Sequence, residues 1–404
     1  MDFDIPKEIA DYLDVLDDFI EQEIKPLENE NDNIRFFDHR REDARTDWER
    51  GGLPNDEWEA LLFEARMRAD TAGHYRYAMP KDLGGQDGSN LGMAIIREHL
   101  ATKGLGLHND LQNEHSIVGN NVGVLLMANY GTEEQKEEWL PLMLQGKRGF
   151  AFGITEPAHG SDATHMETKA VRDGDGWKIN GAKTWNTGIH KAQYDMVMAR
   201  TSGEPGDGDG ITAFLTPMNA EGVKIEEFLW TFNMPTDHGT VSFSDVYVDN
   251  ASIFGEEGHG LQIVQHFFNE NRIRQAASSL GAAQYCINES VKYAQERKPF
   301  GKPLSTNQGI QFPIARAYSQ MRAAELMLAE SIRLYEAGEN PGEEANLAKL
   351  LCADASWVAA EMCVQTYGGF GFAEEYDVER KFREARLYQV APISTNLILS
   401  YIAE

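Results

Sequence analysis

The chain has 404 residues, 42% hydrophobic and 25% charged, and acidic side chains so outnumber basic ones that the formal net charge is −28. That length is too great for one small core and predicts two or three packed units able to enclose a cofactor. So acidic a surface repels nucleic acid, and no apolar run approaches the roughly 18 residues that cross a bilayer, so neither nucleic-acid binding nor membrane insertion is expected.

In chain order, the part up to about Gly149 reads as helical. Within 8–27, Ile9, Leu13, Leu16, Ile20 and Ile24 recur every three or four residues. The stretch 38–55, rich in Arg, Asp and Gly, reads as an exposed excursion. Thr132-Glu-Glu-Gln135 before Trp139 is a capping-box helix start. From 150 to about 254 the period changes to two, with turn signals at Asp173-Gly174, Asp175-Gly176 and Asn180-Gly181 and strand-forming runs at 211–215 and 240–248. Helical patterns return at 261–297, 314–337 and 343–366, the last two broken at 338–342 by Gly-Glu-Asn-Pro-Gly. The expected domains are an N-terminal helical domain at 1–149, a middle β domain at 150–260 and a C-terminal helical bundle at 261–404. Composition and periodicity on their own specify only an α+β fold.

Cys286, Cys352 and Cys363 lie in helix-like sequence with no C-x-x-C spacing, so no disulfide framework, zinc site or redox pair is expected. The acidic opening MDFDIPKEIADYLD lacks the basic character of a secretory or mitochondrial signal, which predicts a cytoplasmic protein. The excess charge reads as solubility or adaptation to salt, ahead of an acidic docking surface. Gly208-Asp-Gly210-Ile-Thr-Ala213 has the letters of a dinucleotide fingerprint but precedes a strand instead of following one, so it reads as a surface turn. His108 and His115, seven apart, sit among Gly and Asn and are not expected to bind metal. No P-loop, G-x-S-x-G elbow or H-E-x-x-H occurs, which leaves hydrolase and metalloenzyme readings without a nucleus.

Three ordered segments carry the functional signal. TEPAHGSD at 155–162 is followed by NGAKTW at 180–185; RKPFGKPLSTNQ occupies 297–308; QTYGGFG at 365–371 leads to ERKFREAR at 379–386. Together they resemble the acyl-CoA dehydrogenase family, which implies helices, a β barrel or sandwich and a four-helix bundle. The resemblance implies FAD, with Phe152, Ile154, Thr155 and Ser161 along one flavin-contacting strand and Trp185 and Thr187 as the second wall. The chemistry suits such a role, since an isoalloxazine needs donors at its polar edge and flat apolar walls at its faces. By the same resemblance Arg297, Phe300 and Gln308, with Gln365, Gly368, Gly369 and Gly371, hold the pyrophosphate and adenine from a neighbouring subunit. Arginine beside glycine backbone suits phosphate through charge and close approach. Ser394 and Asn396 keep the hydrogen-bonding type of the family's Thr and Gln.

The implied reaction is α,β-dehydrogenation of an acyl-CoA, with electrons passed to an electron-transfer-flavoprotein-type carrier by a homodimer or homotetramer. Ser161, Asn269, Arg272 and Ala391 correspond to substrate-contacting positions, and Ala391 replaces what is often an aromatic residue. The family's glutamate base would fall at Pro392 or at Asn271, neither of which accepts a proton well. Substitutes, in order, are Asp237 with His238, then Glu270, then His99. Two alternatives stay open: a family flavoenzyme with non-desaturating chemistry (oxidase, monooxygenase or lyase-like), and a non-catalytic flavin-binding protein.

Overall fold

The computed structural model describes residues 5–109, 116–231 and 237–404, apart from the side chains of His39, Glu42, His266, Phe267, Phe268 and Asn269. The chain begins with α1 (Lys7–Phe19), a π-turn at Ile20–Ile24 and α2 (Lys25–Asn29). Where one helix is expected over 8–27, the π-turn interrupts the α pattern while Leu16, Ile20, Ile24 and Leu27 all stay buried. The excursion at 38–55 holds short 3₁₀ turns and a hairpin of β1 (Thr46–Asp47) and β2 (Leu53–Pro54). Arg50 locks that hairpin, donating to Asp47 Oδ2 at 2.7 Å, Asp56 Oδ1 at 2.9 Å and the Pro54 carbonyl at 3.2 Å. Helices α3 (Asp56–Thr71), α4 (Asn90–Ala101), α5 (Val122–Tyr130) and α6 (Glu133–Met143) follow.

Eight further strands are β3 (Phe150–Gly153), β4 (Lys169–Asp173), β5 (Gly176–Thr187), β6 (Tyr194–Arg200), β7 (Ile211–Pro217), β8 (Val223–Leu229), β9 (His238–Asp249) and β10 (Ile253–Phe254). The rest is α7 (Gly260–Glu296), α8 (Gln308–Glu336), α9 (Gly342–Tyr367), α10 (Val378–Val390) and α11 (Thr395–Ala403). Helix α8 starts six residues before the expected 314 and takes in Pro313 near its N-terminus.

Two compact units result: Met1–Ala44, Glu57–Asn120 and Phe268–Glu404 form one, Arg45–Asp56 and Asn121–Phe267 the other. In the helical unit, alanines such as Ala276, Ala283, Ala317, Ala348 and Ala359 line the α7–α10 core, while Leu16, Ile24, Trp58, Ile96 and Leu100 build a second core. Small residues let these helices approach closely at high packing density. In the sheet unit the strand order is β10-β7-β6-β4-β5-β9-β8, with β3 parallel to β6. Trp177, Ile179, Phe214, Val241 and Phe243 fill its core. The α6 capping box forms as expected, and Gln135 Nε2 also donates to the Ala251 and Ile253 carbonyls, both at 2.8 Å, tying α6 to the sheet. Asn180-Gly181 is not a turn. It is a bulge inside the long β5, where Gly181 has φ +148° and any Cβ would lie 2.4 Å from Thr168 Oγ1.

Candidate functional site

In the sheet unit Phe152 lies on β3 and Trp185 and Thr187 form a ledge on β5, whereas Ile154, Thr155 and Ser161 lie in the loop after β3 and not, as expected, along one strand, because β3 ends at Gly153. The Thr155 carbonyl accepts the Thr184 N–H at 2.8 Å. Lys183 Nζ donates to the Ile154 carbonyl at 3.1 Å and pairs with Glu156 Oε1 at 2.8 Å, both side chains being essentially inaccessible to solvent. Glu156 also accepts the Glu167 and Thr168 N–H groups at 2.6 and 2.9 Å, which closes the base of the loop carrying Ser161. Burial pushes the Glu156 carboxyl up, but Lys183 and the N–H donors more than offset this and hold its pKa below the ordinary value. The sequence motifs contain Glu156 and Lys183, but only their buried contact reveals a shared role.

A second bulge in β5, between Lys183 and Asn186, turns Trp185 outward at φ +64° with 51% of its surface exposed. A lone tryptophan in a strand is expected in the core; this one is presented as a flat open surface. Ser161 and Thr187 are exposed, and Phe152, Ile154 and Thr155 are half-buried along the same edge. The ring of Trp185 meets that of His238 edge-on, centroids 5.9 Å apart. Asp237 Oδ1 stands 3.1 Å from His238 Nδ1, close enough for charge attraction but without hydrogen-bond alignment. The Asp237 carbonyl accepts the Gly188 N–H at 2.8 Å, which holds the start of β9 to the ledge. Residues 233–236 of the same loop lie outside the described residues.

In the helical unit the dinucleotide elements meet within one chain. The Arg297 guanidinium lies 6.0 Å from the centroid of the Phe370 ring, in the Gly368–Phe372 turn that ends α9. Gly368, at φ +61°, and Gly369 have no atom within 4 Å of a would-be Cβ, so their backbone is open to close approach. Gly371 has a packing reason as well, since a Cβ there would fall 2.4 Å from the Val364 carbonyl. Phe300 is fully exposed at φ +54°, Gln308 is exposed at the start of α8, and Gln365 lies in the last turns of α9. Ser394 caps α11, its Oγ accepting the Leu397 N–H at 3.2 Å, and Asn396 is exposed in the first turn. An open arginine-and-glycine surface and a half-exposed flat indole are what a dinucleotide flavin requires, so the residues present fit FAD.

Ala391 and Pro392 are half-buried, and the adjoining Ile393 carbonyl accepts from Lys349 Nζ at 2.7 Å. Burial lowers the Lys349 pKa to about 8, with Asp354 opposing and Arg272 adding to the effect. Arg272 is half-buried, and desolvation lowers its pKa. The side chain of Asn269 lies outside the described residues. Glu270 pairs with Arg274 at 3.1 Å and accepts the Tyr335 hydroxyl at 2.5 Å. His99 Nε2 contacts Asp17 Oδ1 at 2.8 Å, and Lys103 reaches the same oxygen. His108 is buried, and burial above all pushes its pKa down to about 3; His115 lies outside the described residues. Among the described residues no cluster of His, Cys, Asp or Glu is arranged to hold a metal, and no helix is long and apolar enough to cross a membrane.

Models of the acyl-CoA dehydrogenase N-terminal, middle and C-terminal domains match residues 6–147, 151–246 and 258–404. The chain belongs to the acyl-CoA dehydrogenase family and is an FAD-binding flavoprotein oxidoreductase. It is 31% identical to a 3-(aryl)acrylate reductase of Clostridium sporogenes, over 92% of this chain and 91% of that protein. Over 79% of this chain and 83% of the relative, it is 34% identical to a subunit of the caffeyl-CoA reductase–Etf complex of Acetobacterium woodii. Butyryl-CoA dehydrogenase from Megasphaera elsdenii has a similar structure, with TM-score 0.80 and 27% identity, covering 99% of this chain and 98% of that one.

Proposed function

We propose that the protein catalyses α,β-dehydrogenation of a CoA thioester at FAD and passes the electrons to an electron-transfer-flavoprotein-type carrier, with the Asp237–His238 pair as proton acceptor. When bound, FAD supplies the hydride-accepting centre. The observation that carries the assignment of the base is the contact of His238 with Trp185, which puts an imidazole and a carboxylate beside the ledge of the flavin motif. Glu270 and His99 rank lower because each is engaged within the helical unit, by Arg274 and Tyr335 and by Asp17. Arg272 offers a half-buried cation to an anionic part of the substrate. The exposed Phe300, Phe312 and Phe372 support a second subunit over the helical unit, so the working species is at least a homodimer. Three unpaired buried cysteines support a reducing, cytoplasmic location.

A second reading runs the same chemistry backwards, as reduction of an α,β-unsaturated acyl group. It is favoured by two relatives that are reductases. In that direction the Asp237–His238 pair delivers the proton, since the forward acceptor is the reverse donor. The test is anaerobic stopped-flow of the oxidised protein with saturated acyl-CoAs, and of the reduced protein with 2-enoyl-CoAs and 2-enoates, following flavin absorbance. Bleaching by an acyl-CoA supports the first reading; reoxidation by the enoyl compounds alone supports the second. Either Asp237→Asn or His238→Gln should slow the productive half-reaction by on the order of 100-fold with flavin still bound. Rates unchanged in both variants would remove this pair as the base.

A further inference from the structure

Beneath the Trp185–Thr187 ledge the interior of the sheet turns polar. Asp195 of β6 and Asn186 of β5 are both fully buried, and Asn186 Nδ2 donates to Asp195 Oδ2 at 2.5 Å. The second carboxyl oxygen, Asp195 Oδ1, and the amide oxygen, Asn186 Oδ1, are both buried with no donor. Gly153 on β3 makes the room, since a Cβ there would fall 2.8 Å from Asp195 Oδ2. An ionised carboxylate and a vacant amide oxygen are each costly to bury. One proton on Asp195 Oδ1 removes both vacancies, because a carboxylic acid and a primary amide can pair through two antiparallel hydrogen bonds, O–H to amide oxygen and N–H to acid oxygen.

We propose that Asp195 and Asn186 form a buried acid–amide pair that positions the Trp185–Thr187 ledge against the flavin, and that loss of its single proton loosens FAD. Asn186 lies between the two ledge residues, directly after Trp185 at its left-handed φ of +64°. With the proton, two hydrogen bonds hold this strained segment from inside; without it, one remains beside a buried charge. Burial, opposed only in part by Lys183 and by the Asn186 amide, pushes the Asp195 pKa up to about 7. Of the elements packed against Asp195, β5 brings the Lys183 ammonium, itself paired with Glu156, while β3 brings Gly153 and β7 brings Thr216 in register. The proton therefore leaves near neutral pH, where the change is physiologically reachable.

This rests on the flavin lying against Trp185 and Thr187. FAD release from the loaded protein is measured between about pH 6 and about pH 9. Wild type should release FAD on the order of tenfold faster at the upper end, which corresponds to one pKa unit of coupling between proton and ledge. Asp195→Asn reproduces both hydrogen bonds without a titrating proton, so its release should be slow and independent of pH. Asn186→Leu should release quickly throughout. Infrared spectra of wild type should show a protonated-carboxyl band at about pH 6 that fades toward about pH 9 and is missing from Asp195→Asn. Should Asp195→Asn not fold, the wild-type infrared and release series carry the test alone. Absence of the band at the lower pH overturns the proposal, as does equal pH dependence in wild type and Asp195→Asn. Unchanged FAD retention in Trp185→Ala would instead overturn the flavin placement beneath it.

Discussion

Lys183 and Glu156 meet with almost no exposure to water, and Glu156 is further held by two backbone N–H groups. Such a pair contributes little over an apolar substitute, but removing one member strands the other charge in a medium that cannot solvate it. Lys183→Met should therefore cost about 3–5 kcal/mol, and Lys183→Met with Glu156→Gln should recover most of that loss. Urea denaturation read by tryptophan fluorescence decides this; a double variant no better than the single one would contradict it. Glu98 offers a second case. Burial, then the neighbouring Glu325 charge, raise its pKa to about 7 against the opposing pull of Arg322. Its folded pKa lies above its unfolded one, so its share of stability is whole below the unfolded pKa and is lost as pH rises through about 7. The melting temperature should fall between about pH 5 and about pH 8 by more in wild type than in Glu98→Gln; parallel profiles would refute the assignment.

The elements show how a strand can be bent to carry a site. Each bulge in β5 shifts its register against β9, and between them the strand sends Lys183 and Asn186 inward and Trp185 outward. In the helices, by contrast, the carboxylate of Glu270 and the imidazole of His99 are bound up in packing. Glu270 bridges α7 to Tyr335 of α8, and His99 bridges α4 to Asp17 of α1. Glu270→Gln and His99→Gln should thus lower the denaturation midpoint, Glu270→Gln by about 1–3 kcal/mol because Arg274 loses its carboxylate. Flavin reduction by the best substrate should stay within a few-fold of wild type in both. A loss on the order of 100-fold in either, with the fold intact, would move the base to that helix.

At the scale of the whole molecule, the helical unit presents an open apolar and basic surface. Phe300 and Phe372 are almost wholly exposed beside Arg297 and the Gly368–Phe372 turn. A surface of this kind on so acidic a protein fits a partner subunit and the adenylate of FAD together. Arg297→Ala should therefore weaken FAD retention and shift the oligomer toward smaller species in sedimentation velocity. Unchanged flavin content and sedimentation coefficient would exclude the shared site.

Local order and chemistry-bearing spacing were legible in the chain itself. The 3.6-residue pattern located α7 and α9, the Thr132–Gln135 box located the start of α6, and the three ordered motifs led to the family and to FAD, because propensity, capping and motif spacing are carried by residues near in sequence. What no local pattern encodes is which distant groups share a buried space. The Asn180-Gly181 pair reads as a turn in isolation and is a bulge only because Thr168 and β9 lie against it. The partnership of Lys183 with Glu156, the closure of Asn186 on Asp195 and the placing of His238 on Trp185 depend on strand register. Register is set by the pairing of whole strands over one core, so these contacts appear only once the sheet has formed.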